Sequence, residues 1–175
     1  YVRNSDNHVA RNSHRLSLML IDCAEGAYAG AEARAGAVAL EITQVDGAQH
    51  QFLSALIFAL AGLAALRQGD CARAREWCVK TSGAAVTDPD QNGVLFAEVI
   101  EGLITLTEGF TEKSLSLLDT ALDDFHAYYH FGNLTSWDRD MGLALTGCSR
   151  AAARLDQPER AAGYYRSALK HAETL

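Results

Sequence analysis

GDCARAREWC, residues 69–78, reads as a tight turn followed by the start of a helix. GFTEKSLSLL at 109–118 and DQPERAAGYY at 156–165 repeat the phrase, and Gly26 opens another copy. Alignment on Gly26, Gly69, Gly109 and Asp156 gives anchor spacings of 43, 40 and 47 residues. An apolar helical run precedes each anchor: RLSLMLIDCAEG, LIFALAGLAALRQG, FAEVIEGLITLTEG and ALTGCSRAAARLD. Small or apolar residues follow at fixed offsets. Five positions on stand Ala31, Ala74, Ser114 and Ala161; nine on, Ala35, Cys78, Leu118 and Tyr165; twelve on, Val38, Thr81, Ala121 and Ala168. Those steps of four and three place the residues on one side of a helix.

The spacing predicts paired, closely packed helices. A glycine where the first helix ends takes the left-handed conformation without a Cβ penalty. Gly62 and Gly102 lie two turns before their anchors, while Ala74 and Ala161 let the second helix approach the first. A lone hairpin cannot bury both of its apolar sides, so neighbouring hairpins must stack. The expected fold is all-α, about four helical hairpins over residues 8–43, 51–87, 93–129 and 137–175, in one domain spanning 1–175. Met19 replaces the Gly62 type in the first copy. In the fourth, Ser149 replaces the Gly102 type and Asp156 replaces the anchor glycine.

These phrases resemble the tetratricopeptide repeat, whose heart is GxYxxAxxxYxxA; GDCARAREWC and DQPERAAGYYRSAL look like its degenerate bacterial form. The longer period, with acidic linkers such as TDPDQNG at 87–93, is similar to the sensor arrays of MalT-like LuxR regulators and actinobacterial AfsR-type ATPase regulators. A mycobacterial-type kinase is another parent carrying such an array. The resemblance implies a right-handed superhelix and a fragment of a larger transcriptional regulator. That fragment would receive a protein partner or small-molecule inducer. It also directs Leu56, Leu63 and Leu66, and Phe96, Leu103 and Leu106, toward a concave face. Apolar side chains there would either receive a ligand or pack on one another.

Composition fits that class. The chain has 175 residues, 49% apolar and 21% charged, with only two prolines, Pro89 and Pro158. This is enough for a continuous core and excludes wholesale disorder. The net charge of −7 argues against direct nucleic acid contact, which needs a surplus of Lys and Arg. Arg150, Arg154 and Arg160 gather locally, but Asp156 and Glu159 are interleaved with them, as on a solvated ion-paired face. No run reaches a membrane span's length and no signal peptide opens the chain, so a cytoplasmic location is expected. Cys23, Cys71, Cys78 and Cys148 form no CxxC pair and read as small apolar side chains.

Motifs for chemistry are scarce. GFTEKS lacks the glycine a phosphate loop needs before its lysine, and no strand leads into it. NLT at 133–135 matches a glycosylation acceptor that a cytoplasmic protein would not use. Glu98 and Glu101 lie one turn apart and read as a solvent-facing stripe or as partners of arginines from the next repeat. His126 and His130 are four apart in FHAYYH and are weak metal candidates, with Asp123 or Asp124 nearby. In the linker HFGNLTSWDRDMG, 130–142, Trp137 and Arg139 offer an aromatic body beside charges of both signs. The partner-binding candidates are therefore Leu63, Phe96, Glu98, Glu101, Trp137 and Arg139. No cofactor, catalytic residue or enzymatic activity is expected, and homo-oligomers are compatible with an exposed terminal hairpin. The alternative is an all-α small-molecule-binding or catalytic domain with its site near His126, His130 and the 130–142 linker.

Overall fold

A computed structural model describes residues 2–44, 53–85, 92–129 and 138–173. Among them the chain forms helices and turns only. The helices are α1 (Val2–Ala24), α2 (Tyr28–Gln44), α3 (Ser54–Arg67), α4 (Cys71–Ala85), α5 (Asn92–Thr107), α6 (Thr111–Tyr129), α7 (Asp138–Arg154) and α8 (Pro158–Ala172). The all-α fold read from the sequence is the fold observed. The chain divides into two compact units, Tyr1–Ala97 and Glu98–Leu175, with the boundary inside α5.

Four turns repeat one geometry. Gly26, Gly69 and Gly109 have φ of 77°, 83° and 92°, and Asp156 has φ 56°. At each, the turn residue's N–H donates to the carbonyl three residues back, and the next N–H donates to the carbonyl five residues back. These are Gly26 to Cys23 with Ala27 to Asp22, Gly69 to Leu66 with Asp70 to Ala65, Gly109 to Leu106 with Phe110 to Thr105, and Asp156 to Ala153 with Gln157 to Ala152. Such paired bonds define the Schellman closure, which satisfies the last carbonyls of the first helix. The second helix then begins two residues past the turn residue each time, and the +5 residues Ala31, Ala74, Ser114 and Ala161 each donate to the carbonyl four residues back. Asp70 adds a side-chain cap, accepting from the Arg73 N–H at 2.9 Å. Pro158 begins α8, where its missing N–H costs no helical bond.

In the first unit α3 is the centre. It is apolar around its whole circumference and buried from Ser54 to Ala65 apart from Leu56, as a helix surrounded by others must be. It packs against α4, α2 and α1. The small +5 residues Ala31 and Ala74 are fully buried.

In the second unit Gly102 and Gly147 give α5 and α7 close access to Leu118 of α6. A Cβ on Gly102 would stand 2.7 Å from Leu118 Cδ2, and one on Gly147 would stand 2.8 Å from Leu118 Cδ1 and from Leu103 Cδ2. Helices α6 and α7, and α7 and α8, pack along their lengths. The two serine departures from the pattern reach across the hairpins. Ser114 Oγ donates to the Gly102 carbonyl at 2.8 Å, and Ser149 Oγ donates to the Ala161 carbonyl at 2.9 Å. The same two positions meet in both hairpins, with the hydroxyl moved from one helix to the other.

Candidate interaction surfaces

The first unit holds a buried carboxylate. Glu32 of α2 sits at the +6 position, where its side chain is 6% exposed. Its Oε2 accepts from Trp77 Nε1 at 3.1 Å and pairs with Arg73 Nε at 2.6 Å, and its Oε1 accepts from Gln68 Nε2 at 2.5 Å. Helices α2 and α4 and the end of α3 thus share one anion, and its desolvation is offset by three donors. Trp77 stacks on Phe58 with ring centroids 5.7 Å apart, and Lys80 Nζ lies 4.3 Å from its centroid. On the neighbouring hairpin, Arg15 makes a two-pronged pair with Glu41, at 2.6 and 2.7 Å. Arg34 Nε pairs with Asp22 at 2.7 Å.

The second unit has a counterpart on Asp119 of α6. Arg160 NH2 of α8 donates to Asp119 Oδ2 at 2.6 Å, and Tyr164 OH donates to Asp119 Oδ1. Cys148 Sγ of α7 lies 3.8 Å from the same Oδ1. Burial first, and then the bond to Asp119, pushes the Tyr164 hydroxyl up to about 12. Burial first, and then the Asp119 charge, pushes the Cys148 thiol up to about 12. Both groups hold their protons at neutral pH, which disfavours the thiolate form of Cys148. Arg154 NH1 of α7 donates to the Leu106 carbonyl at 2.7 Å, at the end of α5. Two of the arginines read as an ion-paired face, Arg154 and Arg160, therefore reach back to earlier helices.

The sequence candidates fall into three groups. Leu63, Phe96 and Leu106 are core residues, whereas Leu56, Leu66 and Leu103 are half-buried. Glu98 is exposed and Glu101 half-buried. Although the residue as a whole is exposed, partial desolvation of its carboxyl, and then the nearby charge of Asp124, raises the Glu98 carboxyl above its ordinary value. Asp124 sits in α6, so Glu98 faces a like charge. Arg139 lies in the first turn of α7, since the helix begins at Asp138. His126 is exposed on α6. His130 and Trp137 lie outside the described residues. Among the described residues no group of three or more His, Cys, Asp and Glu side chains is gathered as a metal would require. Nor is any helix among them long and apolar enough to cross a membrane. All four cysteines lie among the described residues and none is in a disulfide; Cys148 is buried and the other three are half-buried.

Sequence reading missed the anchoring roles of Glu32 and Asp119. The equivalent position holds Arg75, Leu115 and Ala162 in the later hairpins, a column of mixed character that gave Glu32 no signal.

Among the described residues, large exposed apolar side chains are spread over several elements: Leu20 and Ile21 of α1, Leu40 of α2, Val79 of α4, Phe110 in the turn before α6, and Tyr165 and Leu169 of α8. Helix α8 has no buried residue. Comparison with protein-family models, with curated proteins and with solved structures returns no match to this chain.

Proposed function

We propose that this chain is a ligand-sensing or protein-interaction module, tetratricopeptide-like in its superhelix, belonging to a bacterial transcriptional regulator of the LuxR or AfsR type. The observation supporting the reading is the fourfold recurrence of one left-handed turn, at Gly26, Gly69, Gly109 and Asp156, with the second helix starting at the same offset each time. Repetition of a hairpin spends sequence on surface and neighbour contacts rather than on a single shaped cavity, as interaction scaffolds do. The networks on Glu32 and Asp119 tie helices together and fix side chains in place; they are framework. The module acts by population shift: a partner that favours one arrangement of the hairpins biases the protein that carries it.

The test is made in the source organism. The chromosomal copy is tagged, cross-linked in cells and identified by mass spectrometry, and a strain lacking residues 1–175 is profiled for transcripts. The proposal expects ATPase or DNA-binding modules in the same polypeptide or in a stoichiometric partner, with a defined set of transcripts losing its response. No such modules, together with an unchanged transcript profile, would overturn it.

A further inference from the structure

The two carboxylate networks share one pattern of spacing. Counted from the turn residue of its hairpin, Arg73 stands at +4 and Trp77 at +8 on α4, and Arg160 stands at +4 and Tyr164 at +8 on α8. Each pair meets one carboxylate on the second helix of the preceding hairpin, Glu32 of α2 or Asp119 of α6. Arg73 Nε lies 2.6 Å from Glu32 Oε2, and Arg160 NH2 lies 2.6 Å from Asp119 Oδ2. The Trp77 N–H and the Tyr164 O–H donate to the same two acids. Residues four apart share a helix stripe, so one carboxylate reaches both. The first helix between them adds a third group each time, Gln68 at the end of α3 and Cys148 of α7. The acids stand one turn apart in their helices, at +6 and +10, so the match lies in the donors and in the helices joined.

The pattern is written twice and skipped between. The third hairpin holds Lys113 and Leu117 at +4 and +8, and the second helix before it holds Arg75 and Val79 at +6 and +10, where the acids stand. A leucine side chain has no donor, and neither an arginine nor a valine side chain accepts. The boundary between the two compact units falls in α5, the first helix of that same hairpin. We infer that the two-hairpin block, and not the single hairpin, is the structural unit of this chain. Hairpins one and two are locked by the Glu32 clasp, hairpins three and four by the Asp119 clasp, and either clasp opens without loosening the other block.

The aromatic donor is what makes the clasp more than an ion pair. Arg73 and Arg160 are 57% and 48% exposed, and ion pairs so open to water hold little on their own. The Trp77 ring is buried and stacked on Phe58 of α3, so its N–H meets Glu32 only while α2 and α4 stay together. In the second block Arg160 lies against the Tyr164 ring, 5.6 Å from its centroid, and Nε of the same arginine donates to the Tyr164 hydroxyl. Both donors thus leave their acid together when the hairpins part. The inference concerns the framework and is independent of the regulatory role proposed above.

Hydrogen exchange of the intact chain, resolved by peptide and read by mass spectrometry, tests it with Glu32→Ala and Asp119→Ala. Glu32→Ala should speed exchange in both α2 and α4 by about tenfold or more, as the loss of bonds to a charged group does, and leave α7 and α8 at the wild-type rate. Asp119→Ala should do the reverse. Trp77→Phe and Tyr164→Phe remove only the +8 donor and should give the same division with smaller changes, so a failure of either alanine variant to fold still leaves a comparison. Acceleration of all these helices alike by one variant would overturn the inference, since the chain would then open as a single unit. So would acceleration confined to the helix that carries the substitution, because the clasp would then join nothing.

Discussion

Ser114 Oγ donates a 2.8 Å hydrogen bond to the Gly102 carbonyl, while one turn further along α6 Leu118 presses on the same glycine. A hydroxyl, a bare Cα and a leucine thus set the distance between α5 and α6. Gly102→Ala should destabilise the chain by about 1–3 kcal/mol through overpacking, less the 1 kcal/mol or so that alanine gains in helix propensity. Leu118→Val in the same chain should recover part of that loss, because the shorter side chain withdraws the branch whose Cγ and Cδ2 meet the new Cβ. Urea unfolding of both single variants and the double variant gives the coupling; strictly additive effects would contradict the contact.

Asp156 adopts φ 56° where the three equivalent turns use glycine. Its side chain also brings negative charge to the negative end of α7, the last turn before the chain reverses. Asp156→Gly should therefore stabilise by about 1 kcal/mol, the usual cost of the left-handed region to a residue with a Cβ. Thermal unfolding measures it. Gly69→Ala, at φ 83°, should shift the midpoint in the opposite direction.

Glu32 serves Trp77, Arg73 and Gln68 at once from a buried position. Glu32→Ala leaves the Trp77 N–H with no acceptor on that side chain, and should cost about 2–4 kcal/mol. Trp77→Phe on the Glu32→Ala background should then cost less than on the wild type. Equal costs on the two backgrounds would show that the bond contributes nothing.

The Glu98 carboxyl is raised by burial and by Asp124. The folded state therefore binds that proton more tightly than the unfolded state does. Glu98 disfavours folding at neutral pH, and the deficit is recovered as pH falls toward the ordinary carboxylate range. Glu98→Gln should be more stable than wild type at pH 7, and its advantage should shrink steadily on acidification. An advantage independent of pH would locate the effect elsewhere.

Tyr164 and Cys148 work in the opposite pH direction. Both lie near 12 in the folded state, against ordinary values of 10.0 and 9.0. In the unfolded chain they ionise first, so stability present below about pH 9 is lost as pH climbs toward 12. Tyr164→Phe should cost about 1 kcal/mol at pH 8 by removing the bond to Asp119. It should also make the alkaline unfolding transition shallower, as read by circular dichroism from pH 8 to 12.

Much of this architecture was legible in the sequence because backbone geometry restricts residue choice at few, fixed places. Glycine at a left-handed turn and alanine at a helix crossing leave signatures that survive when the rest drifts. Asp156 was legible by alignment alone, since Ala161 at +5 and Ala168 at +12 keep the pattern. Surface chemistry was less legible. Leu63 and Phe96 carried the same apolar signal as a groove, because periodicity marks the face of a helix and not what covers it. Glu98 resembled an arginine's partner until α6 placed Asp124 beside it. Asp119, Arg160 and Tyr164 are separated by 41 and 45 residues, so nothing local joins them.

Helix α8 contains no buried residue, and a few polar bonds, those of Ser149, Arg160 and Tyr164, fasten it down. No side chain of α8 is itself buried, whereas α3 is buried along nearly its whole length, so detaching α8 costs less than melting α3. Amide exchange in α8 should accordingly run ahead of the interior helices under native conditions. The last helix is then a detachable flap, whose lifting bares the α7 backbone around Ser149 while the turns upstream stay closed.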